Sequence, residues 1–185
     1  MNSRILTVPN ELTFLRLAFI PFFIMAIHYE RYGLALMILI AAGVSDALDG
    51  LLARSLNQKT PLGAYLDPIA DKLLLSSSYL VLALHGKIRW WLTIMVLSRD
   101  VLILVAAAVI LITVGYRPFP PSLYGKANTF FQLLMIFLVL VLAVWHNNAL
   151  SIVKDTACAY LVAAFATLSG FHYCIAVARR IHTEG

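Results

Sequence analysis

The sequence predicts an all-α integral membrane protein, a six-transmembrane-helix bundle with a short N-terminal juxtamembrane segment. Three observations carry that expectation. The chain is 62% hydrophobic and only 12% charged, where a soluble domain carries about 25% charged residues, and its mean hydropathy is +0.88. Its apolar residues are gathered into long runs bounded by polar or turn-forming residues, and a membrane span needs roughly 20 such residues. The runs lack period-two alternation, which favours helices over a barrel. The 185 residues suffice for about six spans with short loops, so one membrane domain over 1–185 is expected, with no sizeable soluble domain.

Each element follows from its borders. The first run extends from about Leu12 to Tyr29, after "VPNE", with Asn10 as the expected helix cap. Met1 to Pro9 is short, polar at its start, and leads into a span-length segment, so the first span is expected to be retained. The second run extends from Gly33 to about Arg54 and the third from about Ala64 to Leu84. "HGKIR" separates the third from a fourth over about Trp90 to Val114. "GYRPFPPS" is a clear loop, because prolines cannot donate backbone hydrogen bonds. The fifth run covers about Leu123 to Trp145 and the sixth about Leu150 to Ile181. Cys158 and Cys174, both in the sixth, fall on nearly opposite sides of a helix and read as packing residues.

Basic residues set the orientation. With the N-terminus inside, the cytoplasmic side collects Arg4, Arg54, Lys59, Arg117, Lys126, Arg179 and Arg180, against Arg31, Lys87, Arg89 and Lys154 outside. The expected topology is N-in, C-in, with Trp90, Trp91 and Trp145 near the outer interface. The net charge of +5 fits this loop bias rather than nucleic-acid binding.

The charges inside the runs are Arg16, Asp46, Asp49, Asp67, Asp71, Lys72, Arg99 and Asp100. An ionisable group within a span costs about 2.5–3.5 kcal/mol on insertion scales. Asp46, Asp49, Gly50 and Ala53 follow i, i+3, i+4 and i+7, one face of the second helix. Gly63, Asp67 and Asp71 follow successive i+4 steps at the start of the third. The second helix ends where the third begins, so four carboxylates can converge near the cytoplasmic surface. Close carboxylates repel unless cations compensate them, and hard oxygen donors suit Mg²⁺, Mn²⁺ or Ca²⁺. Two divalent cations would neutralise the cluster and leave positions for phosphate oxygens. Gly50, Ala53 and Gly63 allow a ligand close to the backbone, and Arg54 can hold a phosphate bidentately. A proton or cation pathway also explains the acids, but not the small residues and arginine among them. Arg99 and Asp100 are adjacent, and so expected on different faces. For them, and for Arg16, structural and functional readings are evenly balanced.

These residues resemble the signature of the CDP-alcohol phosphatidyltransferases, D-x2-D-G-x2-A-R-x8-9-G-x3-D-x3-D. It is met at Asp46, Asp49, Gly50, Ala53, Arg54, Gly63, Asp67 and Asp71. "PNELTFLR", Pro9 to Arg16, is similar to the family's opening P-N-x-x-T-x-x-R. The resemblance implies a membrane enzyme that moves a phosphatidyl group from CDP-diacylglycerol to an alcohol, releasing CMP, with two divalent cations, Mg²⁺ or Mn²⁺. Asp46, Asp49 and Asp67 would bind the metals. Asp71 would complete the cluster and act as general base on the acceptor hydroxyl. Asp49, Gly50, Ala53, Arg54 and Gly63 would hold the cytidine diphosphate, with Asn10 and Thr13 nearby. The same resemblance implies a homodimer; with the orientation that the loop charges give, the expected location is a bacterial inner membrane with the active site facing the cytoplasm. Prenyl transfer at paired aspartates is disfavoured by the short chain and the Gly–Ala–Arg pattern.

The signature does not name the alcohol. "LSRDV" supplies Arg99 and "PSLYGKANTFFQ" supplies Lys126. Both resemble positions that phosphatidylglycerophosphate synthases and CMP-forming cardiolipin synthases use around an acceptor phosphate. Lys126 also reads as an ordinary cytoplasmic interfacial lysine. Glycerol 3-phosphate is the expected acceptor, supported by "LDPIADK", with phosphatidylglycerol close behind. A second arginine, common after the first in phosphatidylglycerophosphate synthases, is absent from "VLILVAAAVILI".

Overall fold

Long apolar runs without internal breakers form helices because a helix satisfies its own backbone donors and acceptors. In the computed structural model the described residues are 8–55, 61–113, 123–145 and 158–184. Their side chains are described over 14–45, 70–103, 105, 125–145 and 158–171. The described residues form six helices and no strand: α1 (Val8–His28), α2 (Tyr32–Ser55), α3 (Pro61–Leu84), α4 (Trp90–Thr113), α5 (Leu123–Trp145) and α6 (Ala159–Glu184). Five starts and ends fall within a few residues of the expected ones. The proline-rich loop and residues 150–157 of the expected sixth run lie outside the described residues.

One expectation is corrected at the first border. α1 begins at Val8, before Asn10. Pro9 falls in the first turn, where its missing N–H would have no helical acceptor anyway and its fixed φ suits the helix. Asn10 therefore lies inside the helix rather than capping it. Pro21 is also inside α1, a placement that membrane helices tolerate.

The chain divides into two compact units. The first comprises Met1–Lys87 with Val139–His146. Here α1 packs against both α2 and α3. Small, branched and aromatic residues line the packed faces: Phe23, Ala26 and Ile27 of α1, Ala35, Leu39 and Ala42 of α2, and Ala70, Leu74 and Leu82 of α3 are all buried. The alanines permit close helix approach. Ser78, also buried, donates its hydroxyl to the Leu74 carbonyl at 2.6 Å, so its polar atom is satisfied within its own helix.

α1 and α3 end in the same way. The Arg31 amide donates to the Ala26 carbonyl at 2.8 Å and the Glu30 amide to Ile27 at 2.9 Å. The Lys87 amide donates to Leu82 at 2.8 Å and the Gly86 amide to Ala83 at 3.0 Å. Both are Schellman closures, which need a left-handed residue: Glu30 at φ 55 and Gly86 at φ 65.

The second unit comprises Ile88–Leu138 and Asn147–Gly185. In it α4 packs against α6, with the Trp91 and Tyr160 rings 5.9 Å apart. Phe131 of α5 stacks on Phe165 of α6 at 4.6 Å.

The outward faces of the helices are apolar. Phe22, Met25, Met37, Ile94, Val101, Phe130, Leu168 and Phe171 are all exposed, a surface that water-soluble monomers avoid. Gly125–Trp145 of α5 is long and apolar enough to cross a membrane, and only 33% of it is buried. Among the described residues it alone meets the full length criterion, while Phe14–His28, Tyr32–Ser45 and Ala159–Phe171 are shorter apolar stretches.

Candidate active site

The acidic stretch is helical on both sides of residues 56–60. α2 runs unbroken to Ser55 and carries Asp46, Asp49, Gly50, Ala53 and Arg54. α3 starts at Pro61 and carries Gly63, Asp67 and Asp71. Helical backbone over both stretches gives the spacings their meaning: Asp46, Asp49, Gly50 and Ala53 share one face of α2, and Gly63, Asp67 and Asp71 share one face of α3. Both helices pack on α1, whose first half bears Asn10, Thr13 and Arg16.

The side chains of Asn10, Thr13, Asp46, Asp49, Gly50, Ala53, Arg54, Gly63 and Asp67 lie outside the described ones. Of the four aspartates, Asp71 is described. Its Oδ1 accepts a hydrogen bond from Arg16 Nη1 at 2.6 Å. The Arg16 side chain is 1% exposed and that of Asp71 44% exposed. A guanidinium sealed in the helix packing thus meets a carboxylate that is partly exposed. Charge-assisted contacts of this kind are short and directional, so Arg16 fixes the position of Asp71.

Four carboxylates at these positions are a hard oxygen donor set, which fits Mg²⁺ or Mn²⁺ by its chemistry. Among the described residues no group of three or more His, Cys, Asp or Glu stands together, and three of the four acids have side chains outside them.

In the second unit the structure revises the reading of Arg99. Arg99 and Asp100 were expected on different faces of the helix, yet Arg99 Nη1 meets Asp100 Oδ1 at 2.7 Å. Side chains as long as arginine reach a sequence neighbour when both are kept from water, and these are 7% and 6% exposed. Arg99 Nη2 also donates to Ser169 Oγ of α6 at 2.7 Å. The guanidinium therefore joins α4 to α6. Beside it lies a cleft of about 290 Å³, lined by Met95, Ser98, Leu102, Ala166, Thr167, Gly170 and Phe171 as well as Arg99. Lys126 is exposed in the first turn of α5.

Sequence reasoning missed several buried polar residues of this unit. Thr93, Asn128, Gln132 and Ser169 are each 0% exposed. Asn128 and Gln132 stand at i and i+4 on α5, and that polar spacing inside an apolar run was the available signal.

The family model for CDP-alcohol phosphatidyltransferases matches residues 6–175. A putative cardiolipin synthase of Mycobacterium tuberculosis is 42% identical over 132 residues, covering 70% of this chain and 62% of the relative. A CMP-forming cardiolipin synthase of Streptomyces coelicolor is 40% identical over 148 residues, covering 77% and 68% respectively. A probable phosphatidylglycerophosphate synthase of Mycobacterium tuberculosis is 36% identical over 141 residues, covering 73% and 66%. The match thus spans less than two thirds of the mycobacterial relatives' own length. Two helices that carry the full set of signature positions, and a family match over most of the sequence, lead to one assignment. The chain belongs to the CDP-alcohol phosphatidyltransferase family.

Proposed function

We propose that the protein transfers a phosphatidyl group from CDP-diacylglycerol to a glycerol-type alcohol, releasing CMP, in anionic phospholipid synthesis. The observation that carries this reading is the unbroken signature, divided between two helices that pack on a third bearing Arg16. The acceptor hydroxyl oxygen attacks the phosphorus that bears diacylglycerol, and the bond from that phosphorus to the CMP oxygen breaks. Asp71, held by Arg16 at 2.6 Å and 44% exposed, takes the hydroxyl proton as the new bond forms. Asp46, Asp49, Asp67 and Asp71 would hold two divalent cations. When bound, these supply charge neutralisation for the pyrophosphate and the departing CMP. Asp49, Gly50, Ala53, Arg54 and Gly63 would cradle the cytidine diphosphate, with Asn10 and Thr13 beside it.

For the acceptor we favour phosphatidylglycerol, which makes the product cardiolipin. Expectation from sequence put glycerol 3-phosphate first. Two observations shift the weight. The relatives at 42% and 40% identity are named cardiolipin synthases. The Arg99 charge is already balanced by Asp100, leaving it a weaker partner for the doubly charged phosphate of a free monoester. Glycerol 3-phosphate stays as the second reading, supported by the phosphatidylglycerophosphate synthase relative at 36%, with Arg99 and Lys126 around its phosphate.

The apolar outer faces support six spans in a single membrane domain. The loop charges support N-in, C-in with the aspartates at the cytoplasmic face, and a bacterial inner membrane is the location that goes with this reading. A homodimer belongs to the same reading. An acceptor screen tests it. Purified protein given CDP-diacylglycerol and Mg²⁺ or Mn²⁺ releases CMP with phosphatidylglycerol, and mass analysis identifies cardiolipin. Phosphatidylglycerophosphate formed from glycerol 3-phosphate alone would select the second reading, and no CMP with any alcohol would remove both. Asp71→Asn abolishes turnover while nucleotide binding stays measurable; loss of binding alone would argue against Asp71 as the base.

A further inference from the structure

The end of the first unit farthest from the aspartates holds a feature that phosphatidyl transfer does not use. A groove of about 640 Å³ runs along α1 and α2, lined by Phe19, Phe22, Met25, Ala26, Leu34 and Ile38, and closed at one end by Tyr29 and Arg31. It lies within the size range of ligand pockets. From Phe19 to Tyr29 the α1 axis rises about 15 Å at ~1.5 Å per residue, the depth of one leaflet of a ~30 Å hydrocarbon core. Arg31 precedes the first residue of α2, its carbonyl accepting the Ala35 amide at 3.0 Å. About 22 Å of helix rise therefore separates Arg31 from Asp46, so the charged mouth of the groove lies apart from the site on the aspartates, while Phe19 at its other end is one helical turn from Arg16.

Charge marks the mouth of the groove. Among the described residues Arg31 has no carboxylate partner, and no acidic residue stands in the first turn of α2. Nearby, Lys87 sits 4.8 Å over the Tyr32 ring, adding a second cation at this end. Glu30 is the adjacent anion, but it does not line the groove. An apolar trough one leaflet deep, with an aromatic and a lone guanidinium at its interfacial end, has the polarity of a lipid in reverse.

We propose that this groove is a binding site for an anionic phospholipid of the leaflet opposite the aspartates. Its acyl chain lies along Phe19, Phe22, Met25 and Ile38, and its phosphate is held by Arg31. The lipid is a bound structural ligand, not a substrate.

The test is lipid binding to the delipidated full chain in detergent, followed by native mass spectrometry. Phosphatidylserine serves as probe because it is neither the proposed donor nor the proposed acceptor, with phosphatidylcholine for comparison. The wild type prefers phosphatidylserine by about tenfold, the scale of one charge-assisted contact. Arg31→Gln brings the two lipids to parity, Arg31→Lys retains most of the preference, and Met25→Trp weakens both. Undiminished preference in Arg31→Gln would overturn the proposal. So would displacement of the lipid by excess inorganic phosphate, which would reduce the site to a phosphate contact. Loss of a dimer in Met25→Trp with lipid binding intact would assign the groove to a second copy of the chain instead.

Discussion

Among the described side chains, Arg16 and Asp71 are the pair that bears on the proposed chemistry. The guanidinium is buried in the first unit and the carboxylate is partly open, so the arginine orients the acid without blocking it. Arg16→Lys keeps the charge but loses the planar donor fork. It is expected to lower the CMP release rate about 10- to 100-fold, the range for residues that orient a metal-site ligand. A titration with Mg²⁺ or Mn²⁺ distinguishes this from simple unfolding, because a displaced Asp71 raises the metal concentration needed. Arg99 makes the contrasting case. Breaking a buried ion pair by removing one partner costs about 3–5 kcal/mol, so Arg99→Ala and Asp100→Asn should each lower the unfolding temperature clearly. A raised acceptor KM in Arg99→Gln with unchanged thermal stability would instead identify Arg99 as an acceptor ligand. The acids and glycines stand out in the sequence because their spacing is unusual and a carboxylate within an apolar run is expensive. The sequence did not reveal that Arg99 pairs with Asp100 and Ser169. Helical spacing describes where Cβ atoms point, not where the end of a six-bond side chain settles among neighbours from a distant helix.

At the scale of elements, the helices were legible where an apolar run meets a sharp polar border. Trp90, Leu123 and Trp145 are borders of that kind and agree with the helix ends. Asn10 was misjudged because two helix-start signals overlap, and Pro9 lies one residue ahead of the favoured cap. The Schellman closures give a direct test of local physics. Gly86 has φ 65 and open space around a would-be Cβ, so Gly86→Ala meets only the left-handed penalty, about 1 kcal/mol. Glu30 occupies the equivalent position at φ 55, where Glu30→Gly relieves that penalty and should stabilise by up to about 1 kcal/mol. Paired unfolding curves check the opposite signs; equal signs would mean that the two closures are not alike.

For the whole molecule, the apolar exterior and the loop charges point to a protein that lives in lipid. Orientation can be tested after Cys158 and Cys174 are replaced by serine. A single cysteine at Lys87 should react with an impermeant maleimide from outside intact spheroplasts, and one at Lys126 only after lysis. Reaction of the Lys126 site from outside would reverse the proposed topology. The six-run layout was visible from composition, but the partition into two compact units was not, because it depends on which apolar faces meet. The acceptor was likewise beyond reach, since the signature does not name the alcohol and the partners of a candidate such as Arg99 are set by tertiary packing. The central claim is that the four aspartates serve phosphatidyl transfer, and its most direct test is CMP release from CDP-diacylglycerol by reconstituted protein. Release is expected to require phosphatidylglycerol or glycerol 3-phosphate, to stop on chelation of divalent cations, and to be absent in Asp46→Asn. Cation or proton flux without CDP-diacylglycerol, with no CMP formed under any of these conditions, would contradict that claim.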